Sequence, residues 1–288
     1  MDKHNKRRRQ PTLVATLPPN AQVPINHCNL PASIIGSLSF QHDPEPIYID
    51  GVSELHHRLF TELDGIAEPE QRAFHFMDYM TVRFRFKHPE DTGLDPHSSG
   101  IRRDKADYLR LLRGWLFDPN GQEAAVMKSW VESRFGLSSR FHKGPLYKDL
   151  ESDTTSSHYA AYLRSRTRGL YATNALESQM DLLYSYCQYE LARTYEPTRL
   201  LHLYRGIDRL REYEVLQQTD RQHATVLLNN LNSFTRNRDR ADEFGDHILE
   251  VDACWQKILF YSGLLPGFLF GEEEVILIGG VYAVTITR

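Results

Sequence analysis

The chain has 288 residues, 41% of them apolar, 25% charged and 11% aromatic, a mix that excludes a disordered or fibrous protein. Lys and Arg number 34 against 38 Asp and Glu, and this net charge of −4 leaves no basic surplus for displacing counterions from a nucleic acid. Three scattered cysteines, Cys28, Cys187 and Cys254, do not make a disulfide framework and fit a reducing cytoplasm.

The N-terminus carries the basic run Lys6–Arg9, followed by Pro11, Pro18 and Pro19 and by no apolar stretch. Residues 1–23 therefore read as a disordered tail and not as a secretory leader. From 24 to about 197 helical periodicity dominates. Ser53 is placed to cap a helix bearing Leu55, Leu59, Phe60 and Leu63, and Pro69 opens the next, with Ala73, Phe74, Phe76, Met77 and Met80. Asp104–Phe117 puts Tyr108, Leu111, Leu112 and Trp115 on one face; Ala124–Phe135 follows a Pro-Asn-Gly turn. The longest helix is expected over Asn174–Arg193. Asp91–Gly100 and Lys148–Ser157 are rich in turn formers and read as exposed loops.

Past residue 198 the period shortens towards two. Strands are expected at Leu200–Arg205, Thr225–Thr235, His247–Val251, Lys257–Tyr261, Glu274–Ile278 and Val281–Thr287, with one short helix near Asp239–Phe244. The chain thus reads as α+β: a mainly helical region, 24–197, followed by a mostly antiparallel β-rich region, 198–288. The longest apolar run, Ile258 to Gly271, is interrupted by Ser262, Gly263, Pro266 and Gly267 and is too short to span a bilayer.

Phosphate-loop, dinucleotide-fingerprint, zinc-protease, Cys-x-x-Cys and nucleophile-elbow motifs are all absent, and the 13 histidines lack metal-ligand spacing, so no metal is expected. Three segments of the β-rich region carry chemistry. Glu272-Glu273-Glu274 enters an apolar run; strand alternation would put Glu272 and Glu274 on one face and Glu273 on the other. The run reads either as a solvated strand entry or as a carboxylate pair whose mutual repulsion splits their roles. Just upstream, Pro266-Gly267 begins a turn expected to present Phe268 and Phe270 as exposed aromatics that meet a substrate. Arg205-Gly206 ends a strand, where a guanidinium and a bare backbone can approach an anion such as a diphosphate. Ser233 and Thr235 share one strand face. Each of these last two also reads as ordinary strand polarity.

Arg, then Ser-x-Thr, then Glu-x-Glu on successive strands resembles the R–S–E arrangement of arginine-specific mono-ADP-ribosyltransferases. Ile25–Ala32, Tyr108–Asp118, Trp130–Leu137 and Thr173–Glu177 extend the likeness over almost the whole chain after residue 24, to the NAD+–dinitrogen-reductase ADP-ribosyltransferases of nitrogen-fixing bacteria. Two positions depart from the wider pattern: Ser-Phe-Thr stands where many relatives have Ser-Thr-Ser, and Gly279-Gly280 follows the last motif where others carry prolines, a difference expected to affect a turn.

The resemblance implies an ADP-ribosyltransferase-like antiparallel β-sandwich with an NAD+ cleft, NAD+ as co-substrate and an arginine of dinitrogenase reductase, the nitrogenase iron protein, as acceptor. By motif position Glu274 stabilises the positive charge that grows on the ribose as the nicotinamide bond breaks. Glu272 orients the acceptor guanidinium and relieves it of a proton. Arg205, with Gly206, holds the diphosphate or adjoining ribose; Ser233 braces the nicotinamide end or Glu274, with Thr235 beside it; Glu273 is dispensable. The modification would block docking of the iron protein with its electron acceptor. The resemblance further implies regulation by a PII signalling protein, with the helical region serving target recognition. Arg102-Arg103-Lys105 and Arg164/Arg166/Arg168 read either as docking patches for acidic partners or as solvated charge. Two other readings stay open: an arginine-specific transferase with a different protein target, and a non-catalytic NAD+-responsive binding module.

Overall fold

The computed structural model describes residues 16–86, 106–146, 157–171, 173–210, 213–268 and 273–288. Its helices are α1 (Ala32–Ile35), α2 (Ser39–His42), α3 (Val52–Leu55), α4 (His57–Asp64), α5 (Pro69–Arg83), α6 (Tyr108–Phe117), α7 (Gln122–Phe135), α8 (Ser157–Gly169), α9 (Ala175–Thr194) and, between strands, α10 (Arg238–Asp242). The strands are β1 (Leu200–Ile207), β2 (Glu214–Gln218), β3 (His223–Thr235), β4 (His247–Cys254), β5 (Ile258–Tyr261) and β6 (Glu274–Thr287). The architecture is mixed helix and antiparallel sheet. None of the described helices is long and apolar enough to cross a membrane.

Local chemistry explains most boundaries. Pro69 sits where a missing N–H costs nothing, and Asp107 caps α6 by accepting from Leu109 N at 2.8 Å. Ser53 is not a cap: it lies inside α3, which Gly51 opens from a left-handed φ of 75°, and His56 separates α3 from α4. Residues 16–23 do not belong to the expected disordered tail. Leu17 and Ala21 are buried, Val23 N donates to Gly136 O at 2.8 Å, and Gln22 bridges to Leu137. Residues 1–15, the expected loop at Asp91–Gly100 and most of Lys148–Ser157 lie outside the described residues, Ser157 itself opening α8.

The sheet order is β2-β3-β1-β4-β6-β5, and β3 also pairs with β6, so β3, β1, β4 and β6 close a ring. β6 is one continuous strand, not the two expected on either side of Gly279-Gly280. There is no turn there. Asn229 and Asn230 of β3 bulge opposite Gly279, and a Cβ on Gly279 would collide with Asn229 O, so only glycine lets the two strands meet.

One hydrophobic core runs through both halves of the chain, joining Phe76, Trp115, Trp130 and Tyr184 from the helices to Val226 and Ile276 from the sheet. α9 holds the short edge strand β5 directly: Gln188 Nε2 donates to Ile258 O at 2.7 Å, and Tyr184 Oη to Gln256 O at 2.9 Å. Charged side chains are buried against this core. Arg72 of α5 makes a two-toothed bridge to Glu190 of α9, at 2.7 Å on each side, and its remaining nitrogen donates to Ile66 O and Ala67 O. Lys257 is wholly buried, 4.5 Å over the ring of Tyr282, and burial pushes its ammonium down to about 7.

Two stability measurements follow. Arg72→Ala strands the Glu190 carboxylate, and chemical denaturation should register a loss of about 3–5 kcal/mol. Lys257 is depressed in the folded state, so the fold binds fewer protons than the unfolded chain above about pH 7. Stability should therefore rise between about pH 7 and 8.5, below the range where the cysteines titrate, and Lys257→Met should raise Tm at pH 7 and remove about half of that rise, the rest coming from the buried Lys128 of α7, which is held down over the same range.

Candidate functional site

The antiparallel register of β3 against β6 sets Thr235 opposite Glu274 and Ser233 opposite Ile276. Directly opposed residues project to the same face, so Ser233, Thr235 and Glu274 line one face of the sheet. On its other edge, β3 meets β1 at the single pair Tyr204↔Thr235. Toward the bulge the two strands part, and the guanidinium of Arg205 crosses the gap to donate to Ser233 O at 3.0 Å. A carbonyl that loses its strand partner thereby gains a charged donor. The structure thus brings together Arg205, Ser233, Thr235 and Glu274, residues separated by up to about 70 positions.

Glu274 is the buried member, 7% exposed, and its backbone is gripped from both sides by Ser262: Glu274 N donates to Ser262 Oγ at 2.9 Å, and Ser262 N to Glu274 O at 2.8 Å. Thr235 is buried beside it and its hydroxyl accepts from Asn237 N at 3.1 Å, which opens the turn into α10. Glu273 is exposed and takes a left-handed φ of 44°, so β6 begins only at Glu274. Strand alternation therefore does not extend back through the three glutamates, and the same-face argument for Glu272 fails at Glu273. Glu272 and Phe270 lie outside the described residues.

Two expectations change on contact with the structure. Phe268 is not an exposed aromatic: it is 4% exposed, stacked edge-on against Phe260 at 6.4 Å and covered by the Arg113 guanidinium at 4.9 Å. It anchors the turn that leads to Glu274. Gly206 does not leave its backbone bare for an anion on its Cα side, because α10 fills that space and a Cβ there would collide with Ala241 O. The glycine lets α10 close in behind Arg205.

Trp115, read from the sequence only as a core position of α6, reaches the site. Its indole Nε1 donates to Ser233 Oγ at 2.9 Å. The serine hydroxyl is thereby fixed as an acceptor on one side and keeps its proton for a ligand on the other. α6 is itself pinned to α9, since Gln179 accepts from Tyr108 N at 2.8 Å and donates to Ala106 O at 3.0 Å. The signal in the sequence was a tryptophan on a buried helix face, whose one polar atom must find a partner. Among the described residues no group of His, Cys, Asp or Glu is arranged to hold a metal ion.

A buried carboxylate and two hydroxyls thus share one sheet face, with a guanidinium on the backbone beside them. The chain is 38% identical over 262 residues, 90% of its own length and 93% of the relative's, to NAD(+)–dinitrogen-reductase ADP-D-ribosyltransferase of Rhodospirillum rubrum. No solved structure matches it. Residues 25–286 match the family described as dinitrogenase reductase ADP-ribosyltransferase, and the chain belongs to that family.

Proposed function

We propose that this chain transfers ADP-ribose from NAD+ to an arginine of dinitrogenase reductase, and that its closed antiparallel ring, parted between β1 and β3, is an ADP-ribosyltransferase-like sandwich with the NAD+ cleft at the parting. The observation that carries the reading is the convergence of Glu274, Thr235 and Ser233 on one sheet face with the Arg205 guanidinium bound to the Ser233 carbonyl. Membership of the family and the name of the Rhodospirillum relative support the acceptor.

In this reading NAD+ supplies the ADP-ribosyl group and nicotinamide departs. Glu274, held by Ser262 and largely shielded from water, stabilises the positive charge that develops on the ribose more than it stabilises the ground state. A carboxylate fixed in advance needs no reorganisation as that charge grows. Ser233 presents a hydroxyl proton whose direction Trp115 limits; Thr235 continues the polar row. Arg205 meets the diphosphate or adjoining ribose. Glu272 binds the acceptor guanidinium, which is protonated at neutral pH and a poor nucleophile, and draws off its proton during attack. Phe268 anchors the turn, leaving Phe270 to meet the target. The helical region recognises the reductase and receives regulation by a PII signalling protein in the cytoplasm, and the Trp115–Ser233 hydrogen bond links that region to the cleft.

Transfer of labelled ADP-ribose from NAD+ to purified dinitrogenase reductase tests the assignment. Glu274→Gln should cost about 10²–10³ in kcat, Glu272→Gln should abolish transfer while leaving some NAD+ hydrolysis, and Glu273→Gln should be near wild type. Wild-type turnover by Glu274→Gln would refute it. Trp115→Phe keeps an aromatic ring but removes the indole N–H and part of a buried ring; about a fivefold loss in kcat/KM is expected, together with a Tm lowered by a few degrees from the cavity.

A further inference from the structure

A buried cation with no carboxylate against it stands beside the cleft. Lys128 lies on the inward face of α7, 2% exposed, with its ammonium 5.9 Å from the ring centre of Trp115. It donates to Phe141 O at 2.9 Å; among the described residues this is its one hydrogen bond, and it has no ion pair. An ammonium has three protons to place. Nor does that carbonyl depend on it, because Asn229 Nδ2 also donates to Phe141 O, at 3.0 Å. Burying such a charge is costly, and a role as a mere cap does not account for it.

The charges that face Lys128 deepen the puzzle. Burial pushes its ammonium down to about 7, and the Arg205 guanidinium of β1 adds to the depression; Asp118 after α6 and Glu132 on α7 oppose it without cancelling it. His142, in the segment after α7, is fully buried with neither ring nitrogen hydrogen-bonded and is held down to about 4, chiefly by burial and then by Lys128. It adds no negative charge. The free protein therefore holds Lys128 against the ring of the tryptophan that positions Ser233, and the Arg205 guanidinium on the backbone carbonyl of that same serine.

We propose that Lys128 and Arg205 are the two cationic walls of one anion subsite, which takes the diphosphate of the dinucleotide, with Lys128 as the buried wall. A doubly charged anion between them turns mutual repulsion into attraction and meets the unused ammonium protons. Binding then draws a proton onto Lys128 whenever the pH lies above about 7. Lys257 shows the contrast: it is buried and depressed to about 7 too, but it faces a Tyr282 ring and Cys254, with no second cation, and forms no such site.

This inference rests on the NAD+ cleft proposed above, and calorimetry of NAD+ binding to the full chain separates the two. Wild type should weaken in affinity as pH rises from about 6.5 to 8.5, and at about pH 8 should take up close to one proton per NAD+ bound, read from the dependence of heat on buffer ionisation. Lys128→Met should raise Kd about 10- to 100-fold at pH 6.5, lose the pH dependence and the proton uptake, and raise Tm by a few degrees because a buried unpaired charge is gone. A purely structural lysine would instead lower Tm and leave Kd alone. Wild-type affinity in Lys128→Met, or binding by wild type without proton uptake at pH 8, overturns the subsite, even where Glu274→Gln is inactive and the cleft assignment stands. Failure of wild type to bind NAD+ at all overturns both.

Discussion

The polar face shared by Ser233, Thr235 and Glu274 owes its composition to a bulge three to five residues away along the strands. Asn229 and Asn230 occupy the space opposite Gly279, and only past that irregularity does Ser233 fall opposite Ile276 and Thr235 opposite Glu274. A slip of one residue would carry Glu274 to the other face of β6 and bring its apolar neighbour Val275 into its place beside Ser233 and Thr235. The register is therefore specified by backbone sterics at a glycine and by an apolar strand that is buried along almost its whole length. Ser262 locks the first residue of that strand in place, and Arg205 bridges the edge that the same geometry leaves unpaired.

Charge inside this protein is distributed by a consistent physical logic. Arg72 and Glu190 neutralise each other with a full set of hydrogen bonds, which makes their burial tolerable and ties α5 to α9. Lys257 has an aromatic face in place of a counter-ion. Lys128 has neither a carboxylate nor a full set of acceptors, and it lies next to the residues on which the chemistry is proposed to depend.

Elements with a strong apolar period were legible in the sequence: α5 behind Pro69, α6, α7, α9, and the strands around Ser233 and Glu274. α8 was not, because Tyr162 and Gly169 are its only buried residues and it shows no stripe. β2 was missed for the same reason, as a largely exposed edge strand. Arg205, Ser233, Thr235 and Glu274 were found as types in an order, yet their convergence comes from strand pairing across distant segments, which local pattern does not encode. Phe268 looked exposed because Gly and Pro precede it; Arg113, far away in the chain, covers it. Nothing in Glu-Glu-Glu announces the left-handed backbone at Glu273 that cuts the alternation short. Ala21 and Val23 are tied to the segment after α7 by backbone hydrogen bonds, and Leu17 is buried against Gly36, contacts that the polar neighbours of these residues do not announce.

The hydrogen bond from Trp115 to Ser233 has an evolutionary consequence as well as a chemical one. A serine oriented by a helix from the first half of the chain cannot be inherited apart from that helix without losing its setting. With β5 fastened to α9, the two halves form one heritable unit, and recombination between relatives that kept the sheet but exchanged the helices would bring together a cleft and a scaffold that had never been selected to fit.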